Sequence, residues 1–199
     1  MGFIKGVLGS ITQTIAAGFI LSILIAAFVW ERTGSLNVWE LTVWLHVIVG
    51  ITWIGLLYYF NFVQVPAMGE ALADEGGPGP AAIGKYVAPR ALLWFRMSAA
   101  LTWLTGVSAL ESTGVGIVNA FTLQSPVIGI GAWFGTIMLF NVWVLIWPNQ
   151  KKILGMVEAT AEEIAAAKVT AAMASRTNVL LSVPLLLSMT AFAHGGNVI

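Results

Sequence analysis

Two histidines stand out in a chain that offers little else for chemistry. His46 lies inside a long apolar stretch and His194 closes another. An ionisable residue within a membrane span is costly to keep there, so a paired or functional role is its default reading. On a helix, His46, Gly50, Trp53, Leu57 and Gln64 fall in one narrow stripe. That stripe sets an imidazole beside a glycine, where a flat group can approach the backbone. Two neutral imidazoles at similar depth on different helices suit haem iron or another metal. The alternatives are ordinary: His46 hydrogen-bonded to a neighbouring helix, and His194, followed by Gly195-Gly196, solvated at a frayed end. Zero Cys excludes disulfides, thiolate-held zinc, iron–sulfur clusters and covalently attached haem.

A second set of polar residues lies toward the other end of the spans. Arg96, Arg176, Asn61 and Asn141 could line an anion or carboxylate site there, or the arginines could simply anchor to headgroups. Glu111 lies closer to the histidines, as a partner for one of them or as a plain interfacial carboxylate. Phosphate-loop and dinucleotide motifs are absent. Acidic residues sit only in connections or at span ends, which argues against proton-coupled transport by this chain alone.

The elements that must hold these residues are membrane helices. Of 199 residues, 58% are hydrophobic and 9% charged, against roughly 45–50% and 25% in a soluble average. Eighteen charges, nine of each sign, cannot cover a soluble globule containing nine Trp and ten Phe. A nucleic-acid binder would need a basic face. The reading is all-α: a single integral membrane domain over 1–199, a bundle of five transmembrane helices at about 11–30, 38–65, 91–110, 127–147 and 177–193. Pro148 is expected to stop the fourth span, and Pro184 lies within the fifth. Gly76-Gly77-Pro78-Gly79-Pro80 breaks the second connection, and 158–174 reads as a soluble helix leading into the last span.

Eight of the nine basic residues fall on one side, with only Arg32 on the other. The expected orientation therefore has a cytoplasmic amino terminus and an outer carboxyl terminus. Trp30, Trp39, Trp44, Trp94 and Trp147 read as interfacial belts, while Trp53, Trp103 and Trp133 lie deeper. The pattern Trp53-x-Gly55-x4-Phe60-Asn61 recurs 80 residues on as Trp133-x-Gly135-x4-Phe140-Asn141, and the same offset superposes Arg96 on Arg176. Either this is convergence among common membrane residues, or spans two–three and four–five are a tandem two-helix repeat with the first span added. Pro126 stands where the repeat would place a second copy of His46.

The stretch from Trp44-Leu45-His46 through Phe60-Asn61-Phe62-Val63-Gln64 resembles the membrane domain of the PuuD-type urate hydroxylases, the urate oxidase amino-terminal domain family. Trp94-Phe95-Arg96 through Trp103-Leu104-Thr105-Gly106, and Asn141-Val142-Trp143 through Gln150-Lys151-Lys152, are similar to it too. The shorter His-x6-Trp-x-Gly core is also similar to HemJ-type protoporphyrinogen oxidases, which bind haem b through a membrane histidine. The resemblance implies a bacterial inner-membrane redox protein with His46 as a haem b ligand. His194 would be a second ligand, with Gly50 and Trp53 shaping the pocket. Full-length members carry a longer membrane domain and a cytochrome c domain, whose haem needs Cys; this chain has none and would need a separate acceptor. The expected function is electron transfer within a larger complex of membrane subunits or a homo-oligomer. The alternatives are a non-catalytic structural or assembly subunit, and a urate or small-molecule hydroxylase served by a separate cytochrome c.

Overall fold

The structure, a computed structural model, describes residues 2–35 and 37–195. Gly196, part of the His194-Gly195-Gly196 ending, lies outside them. Among the described residues the chain is helical, with no strand. It divides into two compact units, Met1–Val38 and Trp39–Ile199.

The first unit holds α1 (Gly2–Leu8) and α2 (Ile11–Thr33). The uncharged, largely apolar run from Ile11 to Trp30 makes α2 long and apolar enough to cross a bilayer. It ends where Gly34 turns left-handed at φ +70° and returns its N–H to Trp30 O at 2.7 Å. A residue without Cβ accepts that conformation at least cost.

The second unit is built from α3 (Val38–Tyr59), α4 (Val65–Ala73), α5 (Ala88–Ser112), α6 (Ile117–Phe121), α7 (Pro126–Phe140), α8 (Trp147–Ile153) and α9 (Ala161–Ala193). Three π-helical segments interrupt the series, at Phe60–Gln64, Ile83–Val87 and Asn141–Ile146. Each is followed at its second residue by a proline: Pro66, Pro89 and Pro148. A proline lacks an N–H and its ring collides with the carbonyl four residues back. A π turn widens the helix at that place and lets it continue.

Two sequence expectations change for this reason. The helix containing the fourth span does not stop at Pro148 but runs on to Ile153, and the second span likewise extends past Pro66 to Ala73. Between the helix that ends at Ala73 and α5, the chain leaves helix only from Asp74 to Pro80, at the glycine–proline cluster. The Ala-rich 161–174 stretch and the fifth span form one 33-residue helix through Pro184.

Four helices are long and apolar enough to cross a membrane: Ile11–Thr33, Val38–Ala73, Pro126–Ile153 and Ala161–Ala193. The expected third span is present as the 25-residue α5 but is not among the four. Arg90, Arg96, Ser98, Thr102 and Thr105 dilute its apolar character. The described residues thus form an all-helical protein with four helices able to span a membrane.

One core joins four helices. Trp53, Leu57 and Phe60 meet Leu92, Phe95 and Ala99 of α5, Met138 and Val142 from the α7 arm, and Ala174 and Leu185 of α9. Phe60 and Phe95 meet edge-to-face at 5.5 Å between centroids. A smaller cluster of Leu110, Ala120 and Ile128, flanked by Phe121, Met189 and Phe192, lies toward the carboxyl end of α9. In lipid, such seams hold through close packing and interhelical hydrogen bonds rather than through exclusion of water.

Candidate functional site

His46 is held against α5. Its Nδ1 lies 2.9 Å from Thr102 O and 3.3 Å from Thr105 Oγ1. A backbone carbonyl only accepts, so Nδ1 carries the proton and donates. The Thr105 hydroxyl gives its own hydrogen to carbonyls of its helix, Leu101 O or Thr102 O, and is left to accept. That fixes the tautomer: Nε2 keeps its lone pair, and among the described residues it has no hydrogen-bond partner. A ring nitrogen anchored at Nδ1 to a carbonyl is the arrangement that orients an imidazole for ligation through Nε2.

Glycine makes room for the ring. A Cβ on Gly106 would lie 3.0 Å from His46 Cε1 and 3.3 Å from Nδ1. Gly50 faces Thr102 Cγ2, which a Cβ would meet at an ordinary 3.7 Å. Trp53, seven residues along the same face, is 2% exposed, and its Nε1 has no hydrogen-bond partner among the described residues. A buried donor without an acceptor is uncommon and calls for an account. The His46 stripe therefore offers one open acceptor nitrogen and one open donor on the same face of α3.

His194 is placed otherwise. It is exposed at the end of α9, and its Nδ1 donates to Thr190 O of its own helix at 2.8 Å. The two histidines share no hydrogen-bond partner. Among the described residues no group of three or more His, Asp or Glu converges as a metal site would require. Glu111 Oε1 accepts from the Ile117 backbone N–H at 2.9 Å and so holds the α5–α6 connection.

The four residues of the other polar set go to separate partners. Asn61 Nδ2 donates to Ser175 Oγ at 2.8 Å and to Leu57 O at 2.9 Å. Asn141 Nδ2 donates to Asn178 Oδ1 at 2.7 Å, and Asn178 Nδ2 donates to Met138 O at 3.0 Å. The Arg96 guanidinium lies 3.8 Å from the centroid of the Trp147 ring, and Arg176 is exposed. No hydrogen bond joins any two of Arg96, Arg176, Asn61 and Asn141 among the described residues. Of the deeper tryptophans, Trp103 donates to Thr136 Oγ1 at 2.9 Å, and Trp133 to Phe121 O at 3.0 Å.

Sequence reasoning passed over three groups. Ser188 accepts from Gly131 N at 3.0 Å and donates to Val127 O, and Tyr58 pairs with Ser182 at 2.9 Å. Serines spaced six apart on α9 are a weak signal, readable only once the facing helix is known. The third is a groove of about 670 Å³ lined by α3, the Ile83–Val87 segment and α5, including Tyr59, Tyr86 and Arg90. His46 does not line it.

No curated protein and no solved structure matches the chain. The expected family resemblance is borne out over the α6–α9 part of the chain: residues 110–196 match the family model described as urate oxidase N-terminal.

Proposed function

We propose that this chain is a five-span subunit of a redox assembly in a bacterial inner membrane. Its amino terminus would be cytoplasmic and its carboxyl terminus outside. It would hold haem b through Nε2 of His46. The observation that carries the reading is the His46 tautomer: Nδ1–H is committed to Thr102 O, and Nε2 is left open. The donor chemistry fits one imidazole nitrogen ligand from His46, and Trp53 Nε1, without a partner among the described residues, adds a donor on the same face of α3. Bound haem supplies one-electron chemistry; the chain fixes the ring tautomer through Thr102 and keeps room for the imidazole at Gly106. His194 would serve as second ligand in a six-coordinate site.

The deciding measurement is a reduced-minus-oxidised absorption spectrum of the purified protein. A Soret band should be present, should vanish in His46→Ala, and should change coordination signature in His194→Ala if that residue ligates. A preparation without a Soret band, or one unchanged by His46→Ala, removes the proposal.

Two further readings have support of their own. The buried Asn141–Asn178 pair and the closed Ser188 seam favour a structural or assembly subunit. That reading predicts a haem-free protein isolated only with its partner subunits. The family match favours a urate or small-molecule hydroxylase acting with a separate cytochrome c. Urate consumption unchanged on deletion would remove this one.

A further inference from the structure

The groove beside α3 has a polar end and an apolar body. Tyr59 is the last residue of α3, Tyr86 lies in the π-helical segment and Arg90 in the first turn of α5, so all three stand at one end of the helical hairpin. Away from that end the lining includes Ile51, Leu56 and Trp94, with Thr52, whose hydroxyl is turned to Ile48 O of its own helix. Ile51 lies eight residues up α3 from Tyr59, about 12 Å along the helix. Gly55 forms part of the wall, and a Cβ there would meet nothing within 4 Å. The missing side chain therefore keeps the groove open.

Arg90 has no compensating partner. Among the described residues it makes no ion pair, hydrogen bond or ring contact, whereas Arg96, six residues on, is stacked over Trp147. Lys85 adds a second cation beside the groove, 5.3 Å from the Tyr86 ring centroid. No acid lines the groove, and neither the Tyr59 nor the Tyr86 hydroxyl has a hydrogen-bond partner among the described residues. Arginine offers paired donors matched to phosphate oxygens, and basic pockets between membrane helices select anionic headgroups. At about 670 Å³ the volume lies within the range of small-ligand sites.

We propose that this groove seats one anionic phospholipid. Its phosphate lies against Arg90 with the two tyrosine hydroxyls at hand, and an acyl chain runs along Ile51, Gly55, Leu56 and Trp94. The site is separate from His46 and does not depend on haem.

The test is native mass spectrometry of the full chain in detergent, with dioleoyl-phosphatidylglycerol or dioleoyl-phosphatidylcholine added at equal concentration. The wild type should retain phosphatidylglycerol roughly fivefold better, the selectivity of about one well-placed cation. Arg90→Gln should remove that preference while leaving residual binding of both lipids. Gly55→Leu, which points into open space and leaves the helix packing unaltered, should displace both. Gel filtration and helical circular dichroism establish that each variant is folded. Equal retention of the two lipids by the wild type overturns the proposal. So does phosphatidylglycerol binding that survives Gly55→Leu, or protection of the groove by a second protein segment in cross-linking.

Discussion

The two helical pairs α3–α5 and α7–α9 carry the same Trp-x-Gly-x4-Phe-Asn pattern, and in both it runs into a π-helical segment followed by a proline. They differ in what fills the seam. In α7–α9, Gly131 brings the helices so close that a Cβ would lie 2.8 Å from Ser188 Oγ and 2.9 Å from Met189 Cε. Ser188 bridges Val127 O and Gly131 N across the gap, and Asn178 completes a buried amide pair. In α3–α5, Gly50 has ordinary clearance, and the polar bridge is an imidazole whose second nitrogen is unpaired. One pair has its polar atoms satisfied within the seam. The other leaves Nε2 of His46 and Nε1 of Trp53 without partners among the described residues. A membrane bundle can be held by the first arrangement; the second leaves two polar atoms without partners among the described residues.

Glycine substitutions should separate the two pairs most sharply. Gly131→Leu forces α7 and α9 apart against backbone-anchored Ser188 and should destabilise by about 3 kcal/mol. Gly50→Ala meets only Thr102 Cγ2 at 3.7 Å and should be neutral or stabilising by up to about 1 kcal/mol, the helix preference of Ala over Gly. Unfolding of the two variants in detergent, followed by circular dichroism, measures both. Equal losses would erase the contrast.

The buried amides come next. Asn178 is fully buried, and Asn178→Leu leaves the Asn141 side chain without its acceptor, for a cost of about 2 kcal/mol. Asn61 is half-buried, and its contact with Ser175 is a single interhelical bond. Asn61→Leu should cost about 0.6 kcal/mol, the average for such bonds in membrane bundles. If Asn61→Leu proves the costlier of the two, the Asn141–Asn178 pair within the α7–α9 seam is not the stronger of the two amide contacts.

A smaller stability change, with a spectroscopic consequence, is expected at Gly106. Its α5 backbone lies under the His46 ring, so Gly106→Ala must displace the ring by a few tenths of an ångström and strain the bond to Thr102 O. The gain in helix preference, about 1 kcal/mol, offsets the strain, leaving the melting point nearly unchanged. On the haem reading, the reduced spectrum should shift even so. An altered melting point with an unaltered spectrum would make Gly106 a packing residue only.

Much of this contrast was legible in sequence, and what was missed has a physical reason. His46 with Gly50 and Trp53 on one stripe follows from helical periodicity, and α3 shows that stripe turned toward α5. The recurring pattern and the missing second histidine, replaced by Pro126, are visible in the letters alone. The π turns were not. Hydropathy has no period that reports one extra residue in a turn, so Pro148 read as a stop. The Thr102 carbonyl that sets the His46 tautomer was equally hidden, because a backbone acceptor leaves no mark on residue type. The Tyr59–Tyr86–Arg90 groove joins residues across a connection whose path is set by Ile83–Val87 and Pro89. His194 was singled out for its type, and its Nδ1 is bonded to its own helix.

The smallest expected effect distinguishes how the second helix of each pair begins. The segment leading into α5 has no side-chain cap, whereas α9 opens on a capping box. Thr160 Oγ1 accepts from Glu163 N at 3.2 Å, and Glu163 Oε2 accepts from Thr160 N at 2.9 Å. The Thr160 N–H, and then Lys152 at 3.2 Å, hold the Glu163 carboxyl below its ordinary range. Its charged form is therefore favoured in the folded helix. The contribution is complete above the usual glutamate value of about 4.3 and is lost as pH falls through the lower folded value. Amide hydrogen exchange over 161–167 should show Glu163→Gln less protected than wild type at pH 7. The two should converge once pH falls below the lowered carboxyl value, where wild-type Glu163 is itself largely neutral. Exchange at 88–94 should show no such pH-dependent difference between the two proteins. A gap at 161–167 that persists unchanged through the acid range would mean that the side chain acts there through packing, not charge.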